Sequence, residues 1–406
     1  MSFKVLSLFS GIGAFEKALD NLGIEYELVN YCEIDKYASK SYAAIHGVDE
    51  SLNLGDITTV DTSKLPNDID LLTHGSPCQS FSLAGLQHGG DKGSGTQSSL
   101  MWETVRIISD IKPKIIIWEN VKNVLSKKHK HNFDAYIEQL DELNYNSYHK
   151  ILNSRDFGIP QNRERIFVVS IRKDIDNGFE FPKAVPLQLR LKDMLDDEVD
   201  EKYYLSKEQI DRINNSNFMQ EKKRLQEKDY VDTLLARDYK DPKCVAVEPK
   251  RIGGLFDTGT SKHQAGSIWD KECISPTIDT MQGGYRQPLV TIDDNVSNDE
   301  IKINVIGNYS PSGHDASRIV DENGLAPTVK ENHGTVTATM QNLRIRKLTP
   351  KECWRLMGFD DEDFEKAEKV NSNTQLYKQA GNSIVVDVLE HIFSKLNEFG
   401  YISKLR

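Results

Sequence analysis

The chain has 406 residues, 38% of them hydrophobic and 28% charged, with a formal net charge of −11. That length allows two or three domains with a sizeable core, and no apolar run approaches the about 18 residues of a membrane span. The acidic balance argues against nucleic acid only as an average, because binding needs no more than a local basic face, such as those offered by 121–131, 162–165 and 344–355.

The N-terminus "MSFKVLSLF" reads as a strand. It has none of the features of a signal peptide, which points to the cytoplasm. Strands are expected at 3–9, 26–34, 68–75, 112–120 and 165–172. "GIG" turns the chain into a helix closed by Gly23, and a second helix spans 36–47. Alternating strands and helices imply an α/β fold with a parallel sheet covered on both faces. Ligands of such sheets sit at the carboxyl ends of the strands, where Phe9–Gly13, Glu33, Cys78 and Glu119–Asn120 fall. The five cysteines (Cys32, Cys78, Cys244, Cys273, Cys353) show no C-x-x-C spacing, so neither zinc nor a disulfide framework is indicated.

From about 180 to 342 the texture changes. An acidic stretch leads to a helix start at Ser206–Gln209, then to Gly-, Ser- and Thr-rich sequence with short β-like runs. "HQAGSIWDKECISPTI" (263–278) aligns without gaps to "HDASRIVDENGLAPTV" (314–329). Two copies are too few for a solenoid, so a paired β-hairpin module is expected, with His263, His314 and the Pro276–Thr277 and Pro327–Thr328 pairs in structural roles. At 346 the first texture returns. Thr349, Pro350 and Glu352 form a capping box, and "QAGNSIVV" turns into an amphipathic helix. The division expected is 1–180 plus 343–406 as one discontinuous domain, and 181–342 as a second, mostly β or irregular one carrying the repeat.

"FSGIG" after a strand, with Glu33 about 20 residues on, resembles a dinucleotide fingerprint. Glu16 replaces its third glycine, and an acidic residue at a helix start repels phosphate. A nucleoside without phosphates, such as S-adenosylmethionine, fits better than NAD. Asp56 in "GDI" reads either as an acceptor for the adenine amine or as a turn cap.

Taken in order, "FSGIG", "GSPCQSFS", "ENV", "QNRER", "RKLTPKECWRLMGF" and "QAGNSIVV" resemble the motifs of the cytosine carbon-5 DNA methyltransferases of restriction-modification type. Ala14 and Ala84 are small departures outside the chemistry. The resemblance implies a Rossmann-like sheet dependent on S-adenosylmethionine, yielding S-adenosylhomocysteine. It also implies that residues 181–342 recognise double-stranded DNA. A thiolate at Cys78 would add to cytosine carbon 6, turning carbon 5 into a nucleophile. Glu119 would hold nitrogen 3 and the exocyclic amine, and Arg165 the carbonyl oxygen. Arg163 and Arg165 would favour the thiolate, although Arg163 and Gln161 suit bracing a loop better. Phe9, Gly11, Gly13, Glu33, Asp56, Leu100 and Asn382 would hold the cofactor. Because attack comes at the stacked face, the base must flip out, with Gln79, Ser82 and the 83–99 loop closing behind it. Arg286, Arg318, Lys330 and Arg344 are candidate DNA contacts. No metal site, no membrane and no stable protein partner are expected; a monomer is, with a cognate restriction endonuclease as a genetic partner. Three other readings stay open: a tRNA cytosine methyltransferase of the same family, a nucleotide-dependent oxidoreductase on the same sheet, and a non-enzymatic DNA-binding relative.

Overall fold

The computed structural model describes residues 3–77, 90–189, 191–203 and 343–402, together with seven short strands between 251 and 340. The strands in chain order are β1 (Phe3–Leu8), β2 (Tyr26–Cys32), β3 (Leu71–His74), β4 (Ile115–Val121), β5 (Tyr145–Asn153), β6 (Gln161–Asn162) and β7 (Glu164–Arg172). The middle segment contributes β8 (Arg251–Gly254), β9 (Ser267–Trp269), β10 (Ser275–Pro276), β11 (Leu289–Asp293), β12 (Val305–Asn308), β13 (Arg318–Asp321) and β14 (Ala338–Met340), and β15 (Leu343–Lys347) follows. The helices are α1 (Ala14–Asn21), α2 (Lys36–His46), α3 (Met101–Ile111), α4 (Lys130–Glu142), α5 (Pro350–Arg355), α6 (Asp361–Glu368), α7 (Asn373–Asn382) and α8 (Val386–Glu398).

Among the described residues, six strands form one sheet in the order β2-β1-β3-β4-β7-β5. The sheet is not wholly parallel, which corrects the expectation. β7 runs antiparallel to both β4 and β5. The reason lies in the connection. Parallel neighbours need a crossover of a dozen or more residues, whereas residues 154–163 between β5 and β7 are too few. Ser154 N–H donates to the Arg163 carbonyl at 3.1 Å and closes this turn. β7 therefore returns into the slot beside β4. Its N-terminal end, with Arg165, arrives at the edge where β1, β2, β3 and β4 end.

Both faces are covered. On one, α1 and α8 pack with α5–α7: Phe15, Leu19, Trp354, Leu389 and Phe393 share a single buried cluster with Val5, Ile117 and Val169 of the sheet. On the other, Val105, Ile108, Phe133 and Tyr136 of α3 and α4 cover Leu6, Leu72 and Trp118. Met194 joins the first cluster, and Asp196 pairs with Arg355 at 2.9 Å, so the described chain up to Tyr203 lies against α5–α7. The capping box at Thr349–Glu352 is present, with Pro350 at the first helical position. The helix start expected at Ser206 lies outside the described residues. No described helix is long and apolar enough to cross a membrane.

The internal repeat is visible in the backbone. β9 and β13 occupy equivalent positions in the two copies, and each pairs antiparallel with the strand before it (β8, β12) through the same one-residue irregularity. Each also pairs parallel with a strand further along the chain (β11, β14). The duplicated unit thus has three strands where a hairpin was expected. In the first copy β10 also pairs with β6, joining the middle segment to "QNRER".

Candidate functional site

Two clusters form along the carboxyl edge of the sheet. The first is the turn from β1 into α1. Ser10 ties it to the end of β2: its hydroxyl donates to the Ser7 carbonyl at 3.0 Å, and its N–H to the Cys32 carbonyl at 3.1 Å. Phe9 is held at φ +51°, a left-handed conformation that a bulky residue adopts only where its surroundings enforce it. Gly11 is left-handed too, and a side chain there would meet nothing within 4 Å. This is open space beside a backbone N–H, as a bound ligand requires.

Glu33 faces that turn. Its two carboxylate oxygens accept from Gly11 N–H at 2.9 Å and Asp35 N–H at 2.7 Å. Burial raises the pKa of its carboxyl, and those two N–H donors oppose the rise. Ile34, next along, is 74% exposed, a large apolar side chain awaiting cover. Asp56 caps a short turn, accepting from Thr58 N–H at 2.9 Å and its hydroxyl at 2.8 Å through one oxygen. Phe9 and Leu100, the latter at the start of α3, pack half-buried on the same core cluster. Asn382, exposed, ends α7. Gly13 answers to a different neighbour: a side chain there would sit 2.0 Å from His46 Nε2, so its bareness serves packing of α2. Glu16, in the first turn of α1, is fully buried.

The second cluster sits at the ends of β3 and β4. Ser76 is clamped there: its hydroxyl accepts from Trp118 Nε1 at 3.0 Å, and its carbonyl from Asn120 Nδ2 at 3.1 Å. The run ends at Pro77, so Cys78, Gln79 and Ser82 lie outside the described residues. Glu119, on β4, is 8% exposed, and its Oε1 is 3.0 Å from Arg165 Nε. Burial raises the pKa of this carboxyl against the pull of Arg165 and Arg163. Arg163, grouped with the catalytic residues by its motif, donates through Nη2 to the carbonyls of Ser383 at 2.7 Å and Gly381 at 3.3 Å. Gln161 donates to the Leu356 carbonyl at 2.7 Å. Both brace the turns around α5 and α7. In the loop expected at 83–99, the described part is pinned by Trp102 Nε1 to the Gly90 carbonyl at 2.8 Å. Asp91 adds contacts to His131 at 2.7 Å and Asn132 at 2.9 Å.

Among the candidate DNA contacts, Arg318 opens β13 and Arg344 lies in β15, while Arg286 and Lys330 fall outside the described residues. No cluster of three or more potential metal ligands occurs among the described residues. Three residues have roles that were not read from the sequence. Ser76 and Asn120 act on each other across 44 positions, and Asn53 works through hydrogen bonds that only folding reveals.

A family model described as C-5 cytosine-specific DNA methylase matches residues 3–398. The chain is 36% identical to the orphan methyltransferase M.SPRI of Bacillus phage SPR, with 97% of each sequence covered. It is 31% identical to the type II methyltransferase M.HhaI of Haemophilus parahaemolyticus, covering 96% of this chain and 92% of that one. Among solved structures it resembles the Dnmt2 methyltransferase of S. pombe (TM-score 0.60, 17% identity, 98% and 99% covered). The Entamoeba histolytica methyltransferase EhMeth is similar in fold (TM-score 0.61, 16% identity, 98% and 99% covered).

Proposed function

The chain belongs to the C-5 cytosine-specific DNA methylase family, and from that premise we propose that it flips a cytosine out of double-stranded DNA and methylates its carbon 5 through a covalent adduct of Cys78. The observation that carries this reading is Glu119. A buried carboxyl with a raised pKa, 3.0 Å from Arg165 Nε, stands beside the strand end that leads directly into Pro77–Cys78. Gly75 is the nearest bare position, and a side chain there would lie 3.8 Å from Glu119 Oε2.

The thiolate adds to carbon 6, and electron density moves toward nitrogen 3. A carboxyl that keeps its proton donates there and removes the charge, which makes carbon 5 an enamine nucleophile. Arg165 is placed to hold the carbonyl oxygen while orienting Glu119. Loss of the carbon-5 proton then expels the thiolate. Only a flipped base exposes its face to Cys78, so Gln79 and Ser82 are assigned to the flipped state.

Members of this family depend on S-adenosylmethionine, and the first cluster fits its nucleoside. Glu33 retains lone pairs for ribose hydroxyls, and Asp56 has its second oxygen available for the adenine amine. Phe9, Ile34 and Leu100 offer apolar surface, Gly11 open space, and Asn382 a polar edge. When bound, the cofactor supplies an electrophilic methyl group and leaves as S-adenosylhomocysteine. Residues 181–342 are assigned to DNA recognition, with Arg286, Arg318, Lys330 and Arg344 as candidate contacts. Residues 1–180 and 343–406 are assigned to catalysis.

The test is covalent trapping. A target duplex carrying 5-fluorocytosine, found by bisulfite sequencing of host DNA expressing the gene, should give an SDS-resistant adduct with the wild type and none with Cys78→Ala. A wild type that methylates no cytosine and traps on no duplex would refute the reading.

A further inference from the structure

The reading that the β1–α1 turn and Glu33 hold the methyl donor's nucleoside leaves open what holds those two pieces in place. We propose that α2 and Asn53 are the template of that pocket, with His46 and Asn53 as its positioning residues. His46 works at one end. Its Nε2 lies 3.3 Å from the Ile12 carbonyl, and since a carbonyl only accepts, this nitrogen carries a hydrogen. The imidazole fills the space that a side chain on Gly13 would take. It thereby fixes the turn between Gly11, whose N–H holds Glu33, and the start of α1.

Asn53 works at the other end, and each side of its carboxamide is used twice. Oδ1 accepts from Glu33 N–H at 3.0 Å and Gly55 N–H at 2.9 Å. Nδ2 donates to the Glu33 carbonyl at 2.9 Å and to Ser39 Oγ at 2.9 Å. One side chain thus sets the backbone of Glu33 and the approach to Asp56 together.

The two ends are connected through α2. Ser39 Oγ contacts Tyr31 OH at 3.0 Å, Tyr31 stacks on Tyr42 at 4.0 Å between centroids, and Tyr42 packs on His46 at 4.8 Å. Tyr31 and Tyr42 are fully buried. None of these side chains is assigned to the ligand itself. They place the groups that are, and a displacement of about 1 Å in such groups costs orders of magnitude in function.

Equilibrium binding of S-adenosylmethionine and S-adenosylhomocysteine to the full chain tests the proposal, alongside binding of a duplex shown to be methylated, melting temperature, and steady-state kinetics. Asn53→Ala and His46→Ala should each weaken binding of both nucleosides at least about tenfold. KM for S-adenosylmethionine should follow, while kcat at saturation stays within about threefold and duplex affinity is unchanged. His46→Gln, whose amide can still donate to Ile12, should recover most of the loss. Asn53→Asp, which keeps the acceptors but loses the donors, should not. Wild-type nucleoside affinity in both alanine variants overturns the proposal. So does a joint fall of melting temperature, duplex affinity and nucleoside affinity, which marks a merely structural role. If the wild type binds no S-adenosylmethionine while still trapping on 5-fluorocytosine DNA, the assignment of the turn as the nucleoside site fails first.

Discussion

Glu119 and Arg165 meet because β7 runs against β4. Val121 is the cross-strand partner of Arg165, and Glu119 lies two residues back on the same face, a diagonal that long side chains span. Had β7 been parallel, its N-terminal arginine would have entered at the far edge of the sheet, away from the strand ends that hold Glu119, Ser76 and Glu33. The ion pair is also unequal. Burial raises the pKa of Glu119 while the two nearby guanidinium groups pull it down, so burial and Arg165 act on this carboxyl in opposite directions.

The first expectation concerns Glu119→Gln. An amide keeps the shape and donates a hydrogen bond but transfers no proton. Turnover should fall about 10²–10⁴-fold, with affinity for S-adenosylmethionine unchanged. Wild-type turnover should decline at high pH as Glu119 loses its proton, with the midpoint displaced upward from that of an ordinary carboxyl. Stopped-time methylation assays across pH, wild type against variant, decide it; a variant with wild-type turnover removes Glu119 from the chemistry.

The two arginines of "QNRER" should separate. Arg165→Lys loses the planar contact with Glu119 and should lower turnover with little change in melting temperature. Arg163→Lys retains charge but gives up contacts to two carbonyls of the turn between α7 and α8. Its loss should appear in melting temperature, at about 1–3 kcal/mol for buried carbonyls left short of donors. If both substitutions act alike on turnover and stability, the division of labour is wrong.

Much of the candidate site was legible because each motif is contiguous and falls at a strand end, where polar and charged residues stand out against apolar strands. "IIIWEN" reveals Glu119 in this way. The parts not legible act across the chain. Nothing in "YNSYHKILN" separates the mostly polar edge strand β5 from a loop, and with β5 unread the reversal of β7 could not be seen. Asn53 resembles an ordinary turn residue until four hydrogen bonds converge on it. Gly13 matched a cofactor glycine, yet it is the imidazole of His46 that occupies its space. The repeat was readable as sequence, but the third, parallel strand of each copy was not, since its partner lies about 20 residues away.

Asn120→Ala should expose how the nucleophile's strand is held. Asn120 Nδ2 bonds both the Ser76 carbonyl and its hydroxyl, and all three groups are buried. Removing the amide leaves the carbonyl before Pro77–Cys78 without this donor, at a cost of about 1–3 kcal/mol. Adduct formation on 5-fluorocytosine DNA should slow more than nucleoside binding weakens. Equal effects on both would place Asn120 in general stability alone.

The last expectation is a pH-dependent stability set by Asp387. This carboxyl lies near the start of α8 against Gly358, where a side chain would come within 2.3 Å of Asp387 Oδ2. Burial, then the charge of Glu390, pushes its pKa up to about 7. The unfolded chain loses this proton near the ordinary value of about 4, so the folded state holds the extra proton between the two values. Its contribution is therefore undiminished below about pH 4 and is lost progressively as pH rises toward 7. Asp387→Asn removes the ionisation while keeping the volume. The variant should gain melting temperature over the wild type at pH 8, by about 2 °C or more, and little or nothing at pH 4.5. A difference that is constant with pH would show that folding leaves this carboxyl unshifted, and one that grows on acidification that Asp387 is held charged by the start of α8.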